Sequence, residues 1–381
     1  MGADTRTAGV GSFLFNCHAA PPTFQRQSVD TTLHPVVATL APLREWGTRT
    51  LFNSTRTLSH DSGGKPVTTM RQIQLTEWGD ESVLHEANVP IPSPVRGHVL
   101  IKTVAAGVNP IDLTTRKGLG PAAQLADPSY KPFVPGWDVA GTVVATAGDY
   151  TGFKVGDGVF GLVSFPAPAG AYAEYVLAPA HQLVKVPADV PCAQLGGAPL
   201  AALTAYQALF EVAQLKEGER VLIHAGAGGV GHLAVQLAAH AGAQVFATAS
   251  AANHEFVRSL GAQPIDYRTE DFRAVLGQTM DVVLNSTGKQ TFLDSLEVLV
   301  PGGRIVTLTS PDPLDVARER GFEAQWLTVH PDRVQMQEIA RLMSLGLLKV
   351  HVDQVLDFSQ AAQAHALVAT GRTRGKIVLA P

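Results

Sequence analysis

At 381 residues, 45% hydrophobic and 16% charged, the chain is long enough for two domains with cores of their own and has the composition of an ordinary globular protein. Its formal net charge of −4 provides no basic footprint for nucleic acid and no polybasic patch for a membrane surface, and no apolar run approaches the roughly 20 residues of a membrane-spanning helix. Only two cysteines occur, Cys17 and Cys192, so no disulfide framework is expected and a reducing compartment, the cytoplasm, is the expected location.

Residues 1–69 are rich in Ser, Thr, Pro, Gly and scattered Arg, show little apolar periodicity and end near Gly63-Gly64-Lys65-Pro66. A disordered N-terminal extension is the expectation; a wrongly chosen upstream start and a transit peptide are the competing readings. Asp4, Asp30, Glu45 and Asp61 count against a transit peptide, a class poor in acids. No chemistry is assigned there.

From Met70 to about residue 191 the signals are those of short strands. A strand-like run opens at 70–75, and further runs at 98–108, 138–146, 158–163, 172–177 and 183–186 are separated by Gly, Pro and Asp turns, which predicts a mostly antiparallel barrel. A helical segment over 200–213 leads out of it.

The stretch 219–250 then carries the strongest signal. Val221-Leu222-Ile223 runs into Gly226-x-Gly228-x-x-Gly231, a helical pattern follows to Gly242, and a second apolar run completes a strand, loop, helix, strand unit. In such a setting Gly226 allows a tight turn, Gly228 lets the backbone approach a pyrophosphate, and Gly231 lets the helix pack close to the strand; the alternative is a purely structural glycine turn. About 20 residues past such a loop an NAD site places Asp or Glu on the ribose. This chain has Thr248-Ala249-Ser250 there, with Asn253 beyond. Hydroxyls and an amide can donate to a 2′-phosphate that a carboxylate would repel, so NADPH is the expected cofactor.

Past Ser250, helices near 255–260, 270–276 and 290–299 alternate with strands near 264–267, 281–284 and 304–308, which predicts a doubly wound parallel sheet. The chain closes with a helix (333–345), a strand (348–352), a helix (360–369) and a strand (376–379), expected to return to the barrel.

Several stretches together resemble the medium-chain dehydrogenase/reductase superfamily, and within it the zinc-independent quinone oxidoreductases related to zeta-crystallin. They are Ala106-Gly107-Val108-Asn109-Pro110-Ile111-Asp112, Pro135-Gly136-Trp137-Asp138-Val139-Ala140-Gly141, Val155-Gly156-Asp157, Gly170-Ala171-Tyr172-Ala173-Glu174-Tyr175-Val176, Leu203-Thr204-Ala205-Tyr206, 225–231 and Gly375-Lys376-Ile377-Val378. The resemblance implies an α/β protein with a GroES-like catalytic barrel at 70–195, completed by 325–381, and a Rossmann NADP-binding domain at 196–324. It also implies a homodimer.

The zinc branch of that family would carry Cys at Asn109, Gly-His-Glu at 136–138 and Cys near Leu200. Amide and indole cannot replace thiolate, imidazole or carboxylate, so no metal site is expected. The implied activity is transfer of hydride from NADPH to quinones or α,β-unsaturated carbonyl compounds, small molecules that accept hydride without a Lewis acid. By resemblance Asn109 lies beside nicotinamide and substrate, where its amide could donate to the developing oxyanion; the alternative is a turn residue before Pro110. Thr204 is placed near the nicotinamide, with a solvent-facing helix residue as the alternative. Cofactor contacts are expected from Gly226, Gly228, Gly229, Val230 and Gly231, from Ser250, Asn253 and Tyr267 on the phosphate side, from Asn285 through backbone, and from Lys376, which with Arg374 supplies charge from the C-terminal segment or is a solvated turn residue. Thr114 stands where many quinone reductases have Tyr, which removes one aromatic contact for a quinone. Tyr172 and Glu174 read as barrel-strand residues. A zinc-type alcohol dehydrogenase and a non-catalytic NADPH-binding protein are the alternative functions.

Overall fold

A computed structural model of the chain describes residues 59–60, 66–148, 151–187 and 189–381. The expected N-terminal extension therefore lies almost wholly outside the described residues. At its end β1 (Ser59–His60) pairs antiparallel with β2 (Pro66–Val67).

The barrel strands follow as β3 (Thr69–Gln74), β4 (His85–Pro90), β5 (His98–Val108), β6 (Asp138–Thr146), β7 (Gly158–Leu162), β8 (Tyr175–Pro179) and β9 (Val184–Lys185). The second lobe contributes β10 (Arg220–Ile223), β11 (Gln244–Ala249), β12 (Ala262–Asp266), β13 (Met280–Asn285), β14 (Leu299–Thr307) and β15 (Glu323–Trp326), and the chain ends in β16 (Val352–Asp357) and β17 (Lys376–Ala380). β10 to β15 form a six-stranded parallel sheet in the order β12-β11-β10-β13-β14-β15. The expected doubly wound sheet is therefore present. β10 lies where the order reverses, which puts the loop after it at the ligand-binding switch point of such sheets.

The barrel strands join in the order β16-β17-β5-β6-β7-β9, with β8 also on β5. Every pairing there is antiparallel except β16 with β17. β17 returns to β5 with Ile377 opposite Val108, so both ends of the described chain build one sheet. One step further along that register Lys376 comes opposite Asn109, and this is the structural fact that assembles the site.

The cores explain the elements. Val221, Leu222 and Ile223 are buried on both faces of the parallel sheet, as continuous apolar strands flanked by helices must be. Leu222, Val283, Ile305 and Phe292 form the core on one face, while Ile223 and Ala247 join a core that continues through the helix Pro199–Tyr206 to Trp137 and Phe133 of the barrel. Inside the barrel Ile101, Val139 and Tyr172 pack together.

Of residues 348–352, expected as a strand, only Val352 lies in one. Lys349 N donates to Gln236 Oε1 at 2.9 Å and Val350 N to Gln194 Oε1 at 3.3 Å, so side chains take the amides that a ladder would use, and pairing begins only at Val352. β8 starts at Tyr175 rather than 172 because Tyr172 N bonds Pro135 O and its carbonyl accepts from Ile73 N. β15 lies across the expected 324/325 boundary, so the parallel lobe runs to Trp326.

Candidate functional site

The glycine loop joins β10 to the helix Gly231–His240. Its left-handed residue is Ala225, φ +52°, one position before the glycine expected to make the turn. Gly226 is required for another reason: a Cβ there would lie 2.6 Å from Ala247 Cβ on the neighbouring strand. A Cβ on Gly231 would run into the Ala225 carbonyl, so only glycine lets the helix begin this close to the turn. At Gly228 an added Cβ would meet only Ala225 O, at 3.2 Å, and the residue borders a cavity of about 930 Å³. Beside Ala225 and Ala227 the loop turns the bare backbone of Gly228 to that space. His232 N and Leu233 N are taken by Gly228 O and Val230 O, both at 3.1 Å, so the amides left for a ligand are those of Gly229, Val230 and Gly231 just ahead of them. Gly229 and Val230 complete the turn, and Gly229 abuts the Lys376 stem.

The cavity extends past Ser250, Asn253 and Tyr267 to Arg372 and Arg374. Arg374 Nε donates to Asn253 Oδ1 at 2.7 Å and its Nη2 to Ala252 O at 3.1 Å, with its guanidinium carbon 5.4 Å from the Phe256 ring centre. Arg374 is therefore no free turn residue. Asn253 in turn donates to Ser250 Oγ at 3.4 Å, and the half-exposed Tyr267 ring lies under the Arg268 guanidinium. Among the acids bordering the cavity, Glu270 accepts from Asp266 N at 2.8 Å and Asp271 is held by Arg273.

At the cavity's inner wall His224 is buried between Thr248 Oγ1 at 3.1 Å and Ser295 Oγ at 2.9 Å, and burial pushes its pKa down to about 3, so it is neutral. Asn285, fully buried, spends its side chain on its own loop: Nδ2 donates to Gly288 O at 3.0 Å and Oδ1 accepts from Thr287 Oγ1 at 3.0 Å. It offers a ligand no free side-chain group.

The barrel side of the site is built around Asn109. It caps the helix Pro110–Arg116, and the Asp112 carboxylate completes the cap by accepting from Asn109 N at 2.7 Å. The Asn109 amide also reaches across to neighbouring elements. Asn109 Nδ2 donates to Asp138 Oδ2 at 2.9 Å, and Lys376 Nζ donates to Asn109 Oδ1 and, at 2.8 Å, to Val108 O. Asp138 Oδ1 accepts from Leu200 N at 2.7 Å. Gly107 leaves the room for this: a Cβ there would lie 2.5 Å from Asp138 Oδ2. Lys376 is only 3% exposed, so neither expectation for it, a phosphate-side charge or a solvated turn residue, describes it. The antiparallel register with β5 turns it to Asn109.

Burial raises the Asp138 pKa and lowers that of Lys376, while the attraction between the two works against both shifts. Asp112 is pushed up to about 7, chiefly by burial, against the pull of the Asn109 amide. Below it Tyr172 Oη donates to Asp112 at 3.2 Å, His365 Nε2 lies 3.3 Å from Tyr172, and Arg116 Nη1 lies 3.3 Å from His365 Nδ1. Tyr172 therefore supports the site from inside the barrel, and Glu174 pairs with Arg71 at 3.2 Å. Thr204 is buried rather than solvent-facing and its hydroxyl donates to Leu200 O at 2.7 Å, which leaves it as an acceptor only.

Asp138 carried no assigned role in the sequence reading. A carboxylate opening an apolar strand was the available signal, since Asp is almost never fully buried without a partner. The positions where zinc ligands would stand, Asn109, Trp137 and Leu200, are brought together around Asp138, and Trp137 Nε1 donates to Ala167 O at 2.9 Å. Among the described residues no group of three or more His, Cys, Asp or Glu side chains is placed to hold a metal.

Two family models match the chain: one described as an alcohol dehydrogenase GroES-like domain over residues 95–188, the other as a zinc-binding dehydrogenase over 260–379. A 2-methylene-furan-3-one reductase of Solanum lycopersicum is 34% identical over 323 residues, 82% of this chain and 79% of its own. The structure of a quinone oxidoreductase from Coxiella burnetii superposes with a TM-score of 0.79 at 35% identity, covering 82% of this chain and all 100% of its own. A mycobacterial protein solved in complex with NADPH superposes with a TM-score of 0.71 at 31% identity, covering 82% and 100%.

Proposed function

The chain belongs to the medium-chain dehydrogenase/reductase superfamily, in its zinc-independent quinone oxidoreductase branch, and on that premise we propose that it transfers hydride from NADPH to quinones or α,β-unsaturated carbonyl compounds. The observation that carries this reading is the Lys376, Asn109, Asp138 cluster, which puts an ammonium and a carboxamide where the zinc branch would have metal ligands.

The residues present fit a nicotinamide dinucleotide. Gly228 presents bare backbone to the cavity, and the helix behind the loop offers amides to a pyrophosphate. Arg374 and Arg372, beside Ser250 and Asn253, supply positive charge at the adenosine end, and β11 ends without a carboxylate, which favours NADPH over NADH. Bound there, the reduced cofactor supplies the hydride. The protein's part is to receive charge: as hydride reaches a conjugated carbon, the carbonyl oxygen becomes an enolate or phenolate oxygen. Two donors are left for it, the second Nδ2–H of Asn109 and the third N–H of Lys376. Both side chains are almost completely buried, and a donor fixed in a dry site stabilises developing charge far more than one in water.

A zinc-type alcohol dehydrogenase finds no support in this donor set. The outer edge of β15, where the half-exposed Trp326 stands, is the strand on which a second copy would pair in a homodimer. The test of function is loss of NADPH absorbance with the purified protein and 1,4-benzoquinone, 9,10-phenanthrenequinone and a panel of 2-alkenals. Turnover with NADPH in preference to NADH is expected; tight NADPH binding with no oxidation across the panel would favour a non-catalytic protein.

A further inference from the structure

The side-chain amide of Asn109 has a donor end and an acceptor end, and each of its two neighbours accepts only one of them. Lys376 carries N–H donors and no acceptor, so it can face only Oδ1. The Asp138 carboxylate can only accept; Oδ1 is occupied by Leu200 N at 2.7 Å, and Oδ2 takes Asn109 Nδ2 at 2.9 Å. Turned over, the amide would set its NH2 against an ammonium and its carbonyl against a carboxylate. None of the three residues is more than 3% exposed, so water could not relieve either clash. The main chain is fixed as well: Asn109 N is held by Asp112 at 2.7 Å, and Asp112 is held by Gly136 N and Tyr172 Oη, both at 3.2 Å.

We infer that Asp138 is a positioning residue that, with Lys376 on the other side, fixes the polarity of the Asn109 amide, so that one Nδ2–H, pointing in one direction, is always the group that Asn109 offers to the substrate oxygen. The inference rests on the proposed role of Asn109 as that donor. It gives Asp138 a function through Asn109 rather than through contact with the substrate. It also accounts for two charged side chains held at the cost of burial beside a single neutral amide.

An exchange of the two side chains separates polarity from simple integrity of the network. In Asn109→Asp combined with Asp138→Asn, the new carboxylate at 109 accepts from Lys376 and from the new amide at 138, which still accepts from Leu200 N. Every hydrogen bond of the cluster and its net charge are kept; only the N–H facing the substrate is lost. Turnover, the NADPH dissociation constant and the thermal midpoint are measured for the unsubstituted protein, Asn109→Ala, Asp138→Asn and the exchanged pair. The expected result is that Asn109→Ala and Asp138→Asn each lower kcat by about tenfold or more, in line with loss of one oxyanion donor. The exchanged pair should regain the thermal midpoint and NADPH affinity of the unsubstituted protein while its kcat stays as low as that of Asn109→Ala. Recovery of kcat in the exchanged pair would overturn the inference, because an intact network would then suffice. So would an unchanged kcat in Asp138→Asn. If Asn109→Ala itself keeps full turnover, the proposed donor role of Asn109 fails, and the inference with it. Should Asp138→Asn alone fail to fold, the exchanged pair still decides the question.

Discussion

Arg374 Nε donates to Asn253 Oδ1 at 2.7 Å, tying the residue two places before the last barrel strand to the loop that follows the second strand of the parallel sheet. Next to it Gly375 N donates to Ala227 O at 2.9 Å, so the same short segment also holds the glycine loop. The C-terminal segment is therefore a wall of the cavity that Gly228 borders.

Replacing Arg374 by Ala removes a cation from the adenosine end without touching a core residue. NADPH affinity should fall by about tenfold, near 1.4 kcal/mol, while NADH affinity changes little. Isothermal titration with both cofactors checks this, and an equal loss for the two would mean that Arg374 acts on the loop and not on the phosphate.

Gly228 and Gly231 should respond differently to the same methyl group. Gly231→Ala drives a Cβ into the Ala225 carbonyl and should destabilise the protein by about 1–3 kcal/mol, the usual range for overpacking. Gly228→Ala meets only Ala225 O at 3.2 Å, so the fold should tolerate it, yet the methyl lies where the backbone faces the cavity. Thermal unfolding and NADPH titration of both variants should show a lowered midpoint for the first and weakened binding at a near-normal midpoint for the second.

Acid should destabilise the protein through buried neutral histidines. Burial pushes His224 and His365 down to about 3 and His232 to about 4 from the usual 6.5. With folded values depressed, the unfolded chain binds protons first. The stability these groups contribute is present above pH 6.5 and is lost as pH falls toward 3 or 4, at about 1.4 kcal/mol per pH unit for each. Asp112 has the opposite sign: raised to about 7, it contributes stability at low pH that is lost as pH rises through that value, but it opposes three histidines. The thermal midpoint should drop between pH 6.5 and 4.5. His365→Gln, which can still accept from Arg116 and donate to Tyr172, should flatten that drop; an unchanged slope would mean that His365 is not buried neutral.

How much of this was legible in the sequence follows from the physics of each element. β5 and β6 were read at their observed bounds because long runs of apolar residues packed on a barrel declare themselves. β4 and β15 went unread because their residues are mostly exposed and show no apolar pattern, and β15 owes its place to pairing with β14 alone. The glycine loop was legible as a tight link between a strand and a helix, but the division of labour within it was not, since the left-handed turn falls on Ala225. Asn109 was singled out from its neighbours in sequence. Its pairing with Asp138 and Lys376 was not: Asp138 is 29 residues away and Lys376, expected only as a cofactor contact, is 267, and the return of β17 to β5 is what brings Lys376 to Asn109.

The central claim is that hydride goes to the conjugated carbon of an activated double bond, with the oxygen charge received by Asn109 and Lys376. NADPH deuterated at the reactive nicotinamide carbon, incubated with the protein and an α,β-unsaturated ketone, tests it most directly when the product is examined by NMR. The account predicts a saturated ketone carrying deuterium at the β-carbon. Deuterium at the carbonyl carbon of an unsaturated alcohol, the mark of an alcohol dehydrogenase, would contradict it.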